Sequence, residues 1–548
     1  MKTSFVNIAA HLPSIAATHP DVLAVAVQGA KGGSGRHAYS ELTANELDVA
    51  SNRAARGLTE LGIGPGVKTV LMVTPGIEFF VLTFALFKAG AIPVLVDPGM
   101  GIKNLKACLA EAEPKAFVGI TKAHVARRLF GWGKGSIAKN VTVGPRLFWG
   151  GAGYGRLMKS DSAAMMAETQ ADTMAAILFT SGSTGVPKGV VYTHGNFEAQ
   201  VRMLREEYKI EPGEKDLATF PLFALFGPAL GMGAVVPDMD ASKPITANPE
   251  HIIAALEDYE CTNLFASPAL IEKVGRFAVE QEVKLPSVRR VISAGAPAQP
   301  PSLERFSKLL VDGVSIWPSY GATESLPICT ISHGELIKDT VEKTATGSGI
   351  CIGKSFEELD VRIIKIEDEP ISAWSDDLEC EMGIIGEICV KGDIVTEEYY
   401  RRTDSTALAK IRCEDGSLFH RMGDVGYVDE SGRLWFCGRK AHRITESGGD
   451  RFTIPCERIY DTHPRVKRTA VVGLGSKGEQ TPVLCVELLE STIDEKQLVQ
   501  ELKELGKGFV PSKGIEHFLI HSGFPMDVRH NAKIFREQLA VWAEERMA

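Results

Sequence analysis

The residues best able to do chemistry begin at Thr180. An apolar run, Ala175 to Phe179, opens into Thr180, Ser181, Gly182, Ser183 and Thr184, and Lys188 follows Pro187. Glycines let backbone N–H groups close on an anion, hydroxyls add donors, and a lysine adds positive charge, so the stretch has the composition of a phosphate grip. It is not a Walker A loop, because Pro187 stands where that pattern needs glycine. Further along, Gly295, Ala296 and Pro297 follow a strand-like run and would lay flat backbone against a planar group. Tyr320, Gly321, Ala322, Thr323 and Glu324 bring together a ring, a hydroxyl and a carboxylate. Glu324 suits Mg²⁺, a hard cation that takes oxygen ligands beside nucleotide phosphates. Asp424 is an acceptor suited to ribose hydroxyls, and Arg439 and Lys533 add positive charge. Taken singly, Tyr320 reads equally well as a core aromatic, Asp424 as a turn residue before Gly426, Arg439 as a surface charge and Lys533 as a solvated lysine. Their order along the chain, behind the phosphate-gripping stretch, favours one shared site.

Elements of two kinds must hold these residues. Lys68–Val73 and Ile92–Val96 read as buried strands flanking a helix over Gly76–Lys88. The pattern returns as a strand from Thr262, a helix over Pro268–Glu280 and a strand from Arg290. This β–α–β rhythm predicts parallel sheets covered by helices. From Gly383 to Phe436 short β-rich pieces are separated by turn dipeptides such as Asp415-Gly416 and Ser431-Gly432, which predicts a small antiparallel sheet or barrel. After a boundary near Gly438–Arg443 come strands at Thr469–Val472 and Pro482–Leu488, a charged helix near Asp494–Leu505 and a closing helix from about Ile534.

The chain has 548 residues, 44% of them apolar and 24% charged, which excludes a disordered or fibrous protein. Its net charge of −9 argues against a general nucleic-acid binder. Ten scattered cysteines without a C-x-x-C pair argue against a zinc ribbon or a disulfide framework and fit a reducing cytoplasm. The N-terminus, broken by His11 and Pro13, does not read as a signal peptide. The uncharged stretch Thr219–Pro237 is interrupted by Pro221, Pro228, Gly227, Gly231 and Gly233, so it reads as a loop and short helix lining an apolar cavity, not as a membrane span. From Lys115 to Ser160 there are nine basic residues and no Asp or Glu, interleaved with glycines and six aromatics. This window reads either as a loop-rich surface insertion with solvated charges, or as a docking face for a partner protein or an anionic membrane.

As a set, the motifs at Thr180–Gly189, Tyr320–Ser325 and Gly423–Arg439 resemble those of the adenylate-forming superfamily of acyl-CoA synthetases, peptide-synthetase adenylation domains and luciferases. The resemblance implies an α/β fold. Residues 1–438 would form a large N-terminal domain of layered α/β subdomains with a small β-barrel at 383–436, and residues 439–548 a mobile α+β lid. It gives the ATP phosphates to Thr180, Ser181, Gly182, Ser183, Thr184 and Lys188. The adenine falls to Gly295, Ala296 and Pro297 and to the ring of Tyr320, with Gly321 and Ala322 beside it. Thr323 would contact phosphate, Glu324 would hold Mg²⁺, Asp424 would bind ribose with help from Arg439, and Lys533 would be the lid lysine that promotes adenylation. Thr184, Glu324 and Lys533 form the implied catalytic set. A carboxylate and the α-phosphate of ATP are both anionic, so such a site must neutralise charge and align the two.

The chain departs from the common acyl-CoA ligase pattern in three places. Ala224 stands where Pro-Leu-Phe-His has histidine, Ala441 where the lid hinge has Asp or Lys, and Ala532 where glycine is common. The stretches Gly438–Arg443 and His530–Arg536 are most similar to the β-lactone synthetases of bacterial long-chain olefin biosynthesis. That branch implies a long-chain 2-alkyl-3-hydroxy acid as substrate, activated as acyl-AMP and then closed by its own 3-hydroxyl into a cis-β-lactone. It also implies partnership with other enzymes of the route, with 115–160 as the docking surface and peripheral membrane contact as a further option. Long-chain acyl-CoA ligation is the alternative activity, and a non-catalytic relative is disfavoured by the presence of Lys188, Glu324, Asp424 and Lys533. His194, close in sequence to the phosphate loop, is a weak candidate for the base that takes the hydroxyl proton.

Overall fold

Apolar runs without a polar face specify strands buried on both sides, and such strands form the centre of the molecule. The computed structural model describes residues 5–32, 37–180, 187–490, 494–526 and 534–548, without the side chains of 98 and 221–225. Among these residues one sheet has seven strands, in the order Ala152–Gly153, Lys139–Val143, Ala116–Ile120, Lys68–Met72, Ile92–Val96, Met174–Thr180 and Lys188–Thr193. All neighbours run parallel except the last pair, in which Thr180 lies opposite Lys188. The phosphate-gripping stretch is therefore the connection of an antiparallel pair at one edge of this sheet.

A second, fourteen-stranded sheet changes character along its width. Leu23–Lys31, Gly233–Val236, Lys215–Ala218, Asn263–Ala266, Arg290–Ser293 and Ile316–Ala322 run parallel. Ile316–Ala322 then turns back as Ser325–Thr330, and from there the sheet is antiparallel through Ile350–Ser355, Leu434–Arg439, Leu418–Val428, Gly386–Lys391 and Asp360–Ile364. The β-rich stretch expected at 383–436 is thus antiparallel and continuous with the parallel sheet. Beyond it, Val466–Leu474, Thr481–Leu488 and His517–His521 form a separate three-stranded sheet, flanked by the helices Thr453–Tyr460, Glu495–Lys507 and Arg536–Met547.

The helix Ile77–Lys88 shows how sequence dictates depth. It is apolar all round, and every residue from Phe79 to Lys88 is buried. Lys88 at its end is the exception in kind. Its ammonium is fully buried and bonds Asp48 Oδ1 at 2.6 Å and Asn52 Oδ1 at 2.7 Å. Burial pulls its pKa down, and Asp48 opposes that shift.

Two sequence readings change. Residues 115–160 are not a loop-rich insertion: they supply two long parallel strands of the seven-stranded sheet and the helix Thr121–Phe130 between them. Phe117, Trp132 and Trp149 are core residues, since a βαβ unit must bury the inner face of its helix. In Thr219–Pro237, residues Pro221–Leu230 do form a short helix, but Gly233–Val236 is a fully buried strand inside the sheet and not a loop.

Removing Asp48 strands the buried Lys88 charge. Asp48→Ala is expected to cost about 3–5 kcal/mol in urea unfolding, the range for breaking a buried pair. A loss no larger than that of a surface substitution would show that Asn52 and the Asp48 backbone carbonyl suffice to hold Lys88.

Candidate active site

Thr180, Gly295 and Tyr320 sit at or just past the C-terminal ends of parallel strands, where α/β sheets place their ligands, while Asp424 and Arg439 come from an antiparallel pair. The hairpin Ile316–Ala322/Ser325–Thr330 is the centre. Ala322 pairs with Ser325, so Thr323 and Glu324 form its two-residue tip. Its carbonyls are held by a strand residue, a loop residue and a helix residue. Tyr192, on the edge strand of the seven-stranded sheet, donates its hydroxyl to the Thr323 carbonyl at 2.5 Å. The N–H and hydroxyl of Thr396 both donate to the Glu324 carbonyl at 3.0 Å. Gln200 holds the next carbonyl, that of Leu326, at 2.9 Å.

The Glu324 side chain accepts a hydrogen bond from the Tyr399 hydroxyl at 2.7 Å on Oε1. Lys188 lies 4.9 Å above the Tyr399 ring. Tyr399 therefore connects the cation that closes the phosphate-gripping stretch to the carboxylate at the hairpin tip. Burial and the Glu324 charge hold the Tyr399 phenol far above its ordinary pKa, so it donates and does not ionise. No group of three or more His, Cys, Asp or Glu side chains gathers to hold a metal among the described residues. A single half-buried carboxylate with Oε2 left for coordination fits Mg²⁺, which keeps most of its ligands from phosphates and water.

Four residues before Glu324, Tyr320 donates to Asp424 Oδ2 at 2.6 Å. Asp424 Oδ1 lies 2.9 Å from Arg439 Nη1, and the two residues are register partners on adjacent strands. Asp424 is 3% exposed. Its charge raises the pKa of Arg439, and burial together with that charge raises the pKa of Tyr320. Gly295 takes φ +95 just past the strand Arg290–Ser293, a conformation a side chain would strain, while Gly295 and Pro297 are exposed and Ala296 half-buried. Gly321 is exposed beside Tyr320, and Ala322 and Thr323 are half-buried.

Not every expected residue is placed. Ser181, Gly182, Ser183, Thr184 and Lys533 lie outside the described residues, whereas Thr180 and Lys188, the pair that closes the former group, do not. Residues 527–533 are bracketed by a bridge between Met526 and Ile534. Directly after them, Arg536 is fixed to Glu457 at 2.6 Å and to the Val471 carbonyl at 3.0 Å. His194 is not free to act as a base: its Nδ1 accepts the Ile8 N–H at 3.2 Å, and burial pushes its pKa down to about 4.

Sequence reasoning passed over Tyr399, Thr396 and Lys410. Lys410 is buried, donates to the Thr396 carbonyl, and lies behind the same tip. Burial pushes its ammonium down to about 7, with Glu324 and Glu397 pulling it back up. Its strand partner His420 is held well below the usual imidazole range by burial and by Lys410. The available signal was a lysine directly before Ile411 at the end of an otherwise apolar run, Ala407 to Ala409.

Lys410 has a pH signature. Between about 7 and its ordinary 10.5 the unfolded chain holds a proton that the folded chain has lost. Its share of stability is therefore complete above that window and disappears as pH falls through it. Lys410→Met is expected to lack this share, so the difference in unfolding free energy between variant and wild type shifts across the window. Parallel stability curves from pH 7 to 10.5 would contradict the assignment.

The arrangement sets the Lys188 cation and the Glu324 carboxylate at one end of the hairpin and the Tyr320 ring with the Asp424–Arg439 pair at the other. Residues 13–400 match the family of AMP-binding enzymes. The olefin beta-lactone synthetase of Xanthomonas campestris pv. campestris is 47% identical, over 99% of this chain and 98% of its own. That of Stenotrophomonas maltophilia is 48% identical, over 98% of each. The fold is that of the O-succinylbenzoate coenzyme A synthetase of Bacillus subtilis in complex with AMP, with a TM-score of 0.74 at 22% identity over 96% of this chain and 97% of that one. The chain belongs to the AMP-binding, adenylate-forming enzymes, and among them to the group of the olefin β-lactone synthetases.

Proposed function

We propose that this enzyme activates a long-chain 2-alkyl-3-hydroxy fatty acid with ATP and closes it to a cis-β-lactone, releasing AMP and pyrophosphate. The observation that carries the reading is the near-full-length identity of 47% with an olefin β-lactone synthetase. The geometry of the hairpin site supports it.

In the first step the substrate carboxylate attacks the α-phosphorus. Asp424 can hold Tyr320 and Arg439 and still accept from the ribose hydroxyls, because an ionised carboxylate has about four acceptor sites. That fixes the nucleoside end, with Tyr320 and the backbone of Gly295, Ala296, Pro297, Gly321 and Ala322 against the base. Thr180, Ser181, Gly182, Ser183, Thr184 and Lys188 take the phosphates, with Thr323 beside them, and Lys533 brings a further cation to the reacting anions. Mg²⁺, held by Glu324, would supply charge neutralisation on the phosphates. In the second step the 3-hydroxyl attacks the activated carbonyl within the same molecule. Pre-paid proximity of this kind is worth roughly 7–11 kcal/mol, a gain partly offset by the strain of the four-membered ring. No thiol enters, which suits Ala224 and Ala441 in place of the residues expected of CoA ligases.

Residues 439–548 fit the role of lid. From Ile444 onward the buried apolar side chains, among them Tyr460, Val471, Leu484 and Leu498, pack with one another. The ten cysteines are free thiols, eight of them buried, as suits the reducing cytoplasm to which we assign the enzyme. No helix among the described residues is long and apolar enough to cross a membrane. Substrate and product are both water-insoluble on this reading, so direct hand-over between the enzymes of the route is expected.

Incubation with ATP, Mg²⁺ and a 3-hydroxy acid should release AMP and lactone without CoA. Product that forms only as a thioester, and only with CoA, would replace this reading with acyl-CoA ligation. Lys533→Ala is expected to slow acyl-adenylate formation by about 100-fold or more, the scale for removing one transition-state contact, with ATP binding retained. Tyr399→Phe removes a hydrogen bond to a charged group and should raise KM for Mg·ATP about 10-fold or more. Wild-type kinetics in either variant would remove that residue from the mechanism.

A further inference from the structure

The helix Thr121–Phe130 and the loop after Lys139–Val143 build a surface that the reaction does not use. The helix buries Ala123, His124 and Arg127 and turns Lys122, Val125, Arg128 and Leu129 outward. The loop is clamped on the helix at both ends. Thr121 donates its hydroxyl to the Pro145 carbonyl at 2.7 Å, and Trp149 stacks on His124 with ring centroids 5.1 Å apart. Between these clamps Arg146, Leu147 and Phe148 project outward. Phe148 is 85% exposed and Leu129 is 74% exposed, the two highest values among the exposed large apolar side chains of residues 5–180.

The charge around them is one-sided. Residues 115–160 carry nine cations and no carboxylate in a chain of net charge −9. Among the described residues none of the nine forms an ion pair, although pairs are frequent on either side, as at Lys88–Asp48 and Arg202–Glu358. Arg127 lies in the core with Asn140, and Lys139 and Arg146 spend a donor on backbone carbonyls. Lys122, Arg128 and Lys134 stay exposed, Arg128 with one donor 3.5 Å from the Trp149 carbonyl.

We infer that this face docks on an anionic lipid bilayer, with Phe148 and Leu129 entering the interface and the surrounding cations meeting lipid phosphates. Three features favour a bilayer over a protein. The apolar residues project from the helix and loop instead of lining a groove. Both ends of the loop are fixed, so the aromatic tip is presented without an ordering cost. Unpaired Lys and Arg beside protruding apolar side chains satisfy the two-signal rule, in which insertion or charge alone holds a protein weakly and the two together hold it firmly. This face is independent of the reaction at the hairpin site.

Flotation of the full chain tests this, with vesicles of phosphatidylcholine alone and with phosphatidylglycerol added. Binding is expected only to the anionic vesicles and should fall as salt rises. The double variant Arg128→Glu with Arg146→Glu should lower binding about 30-fold or more. Phe148→Ser with Leu129→Ser should lower it about 10-fold, with circular dichroism and AMP release from a water-soluble acid unchanged. Absence of vesicle binding, equal binding to both vesicle types, or binding unaltered in the charge-reversed variant would overturn the inference. Loss of a contact with another enzyme of the route in these variants, without vesicle binding by the wild type, would assign the face to a protein instead.

Discussion

The hydrogen bond from Tyr399 to Glu324 is where the two halves of the active site become one. The two sheets are separate, and residues 393–400 form a seam between them. Asn196, on the helix after the edge strand, holds the carbonyls of Asp393 and Val395 at 2.9 and 3.2 Å. Thr396 holds the hairpin tip, and Val191 and Tyr400 exchange backbone hydrogen bonds with Glu398 and Gly189. With the backbone fixed on both sides, Tyr399 can hold Glu324 at 2.7 Å beneath Lys188 without ordering anything further. The entropy of bringing a phosphate-side cation and a metal-type carboxylate together is met by folding, not by substrate binding.

The seam also explains why a lysine lies buried at Lys410. A charge in that position is opposed by desolvation, and its lowered pKa records the cost. What it gains is a hydrogen bond to the Thr396 carbonyl, whose own N–H and hydroxyl support Glu324. An apolar side chain of similar size would be cheaper to bury and would leave that carbonyl without its donor. Polar groups buried in series of this kind fix a single geometry, because each loses its partner if any one moves.

Much of this was legible in the sequence, and the parts that were not share a cause. The strands Lys68–Met72 and Ile92–Val96 and the helix Ile77–Lys88 announce themselves through local composition. So do the site motifs, because glycines, hydroxyls and acids must be contiguous to line a loop or a hairpin tip. Tyr399 and Lys410 escape this logic: their meaning depends on partners more than 70 residues away in the first case and on burial in the second. The 115–160 window misleads for the opposite reason. Its glycines and charges look like loop, yet consecutive residues such as Ala116, Phe117 and Val118 are buried, and tertiary burial outweighs local composition. Its charge segregation, a property of sequence alone, was read correctly.

The same contrast between buried and exposed pairs bears on where the C-terminal segment can turn. Arg439 is bound to the nearly inaccessible Asp424, and Lys440 to Glu387 at 3.0 Å. Glu387 also takes Arg421 at 2.7 Å, with both side chains 1% exposed. Moving Arg439 or Lys440 away would take a cation from a nearly inaccessible carboxylate, a loss that Tyr320 at Asp424 and Arg421 at Glu387 only partly cover. The next cation, Arg443, pairs with Asp368 and Asp450, which are 43% and 31% exposed, so water can replace it cheaply. For the lid we propose, the least costly axis would therefore lie between Lys440 and Arg443, at Ala441 and His442. An acidic or basic residue at 441 would add one more electrostatic tie at that axis, and alanine adds none. On our proposal that residues 439–548 act as a lid, the absence of that tie suits an enzyme whose second step needs no channel for an incoming thiol, because the substrate carries its own nucleophile.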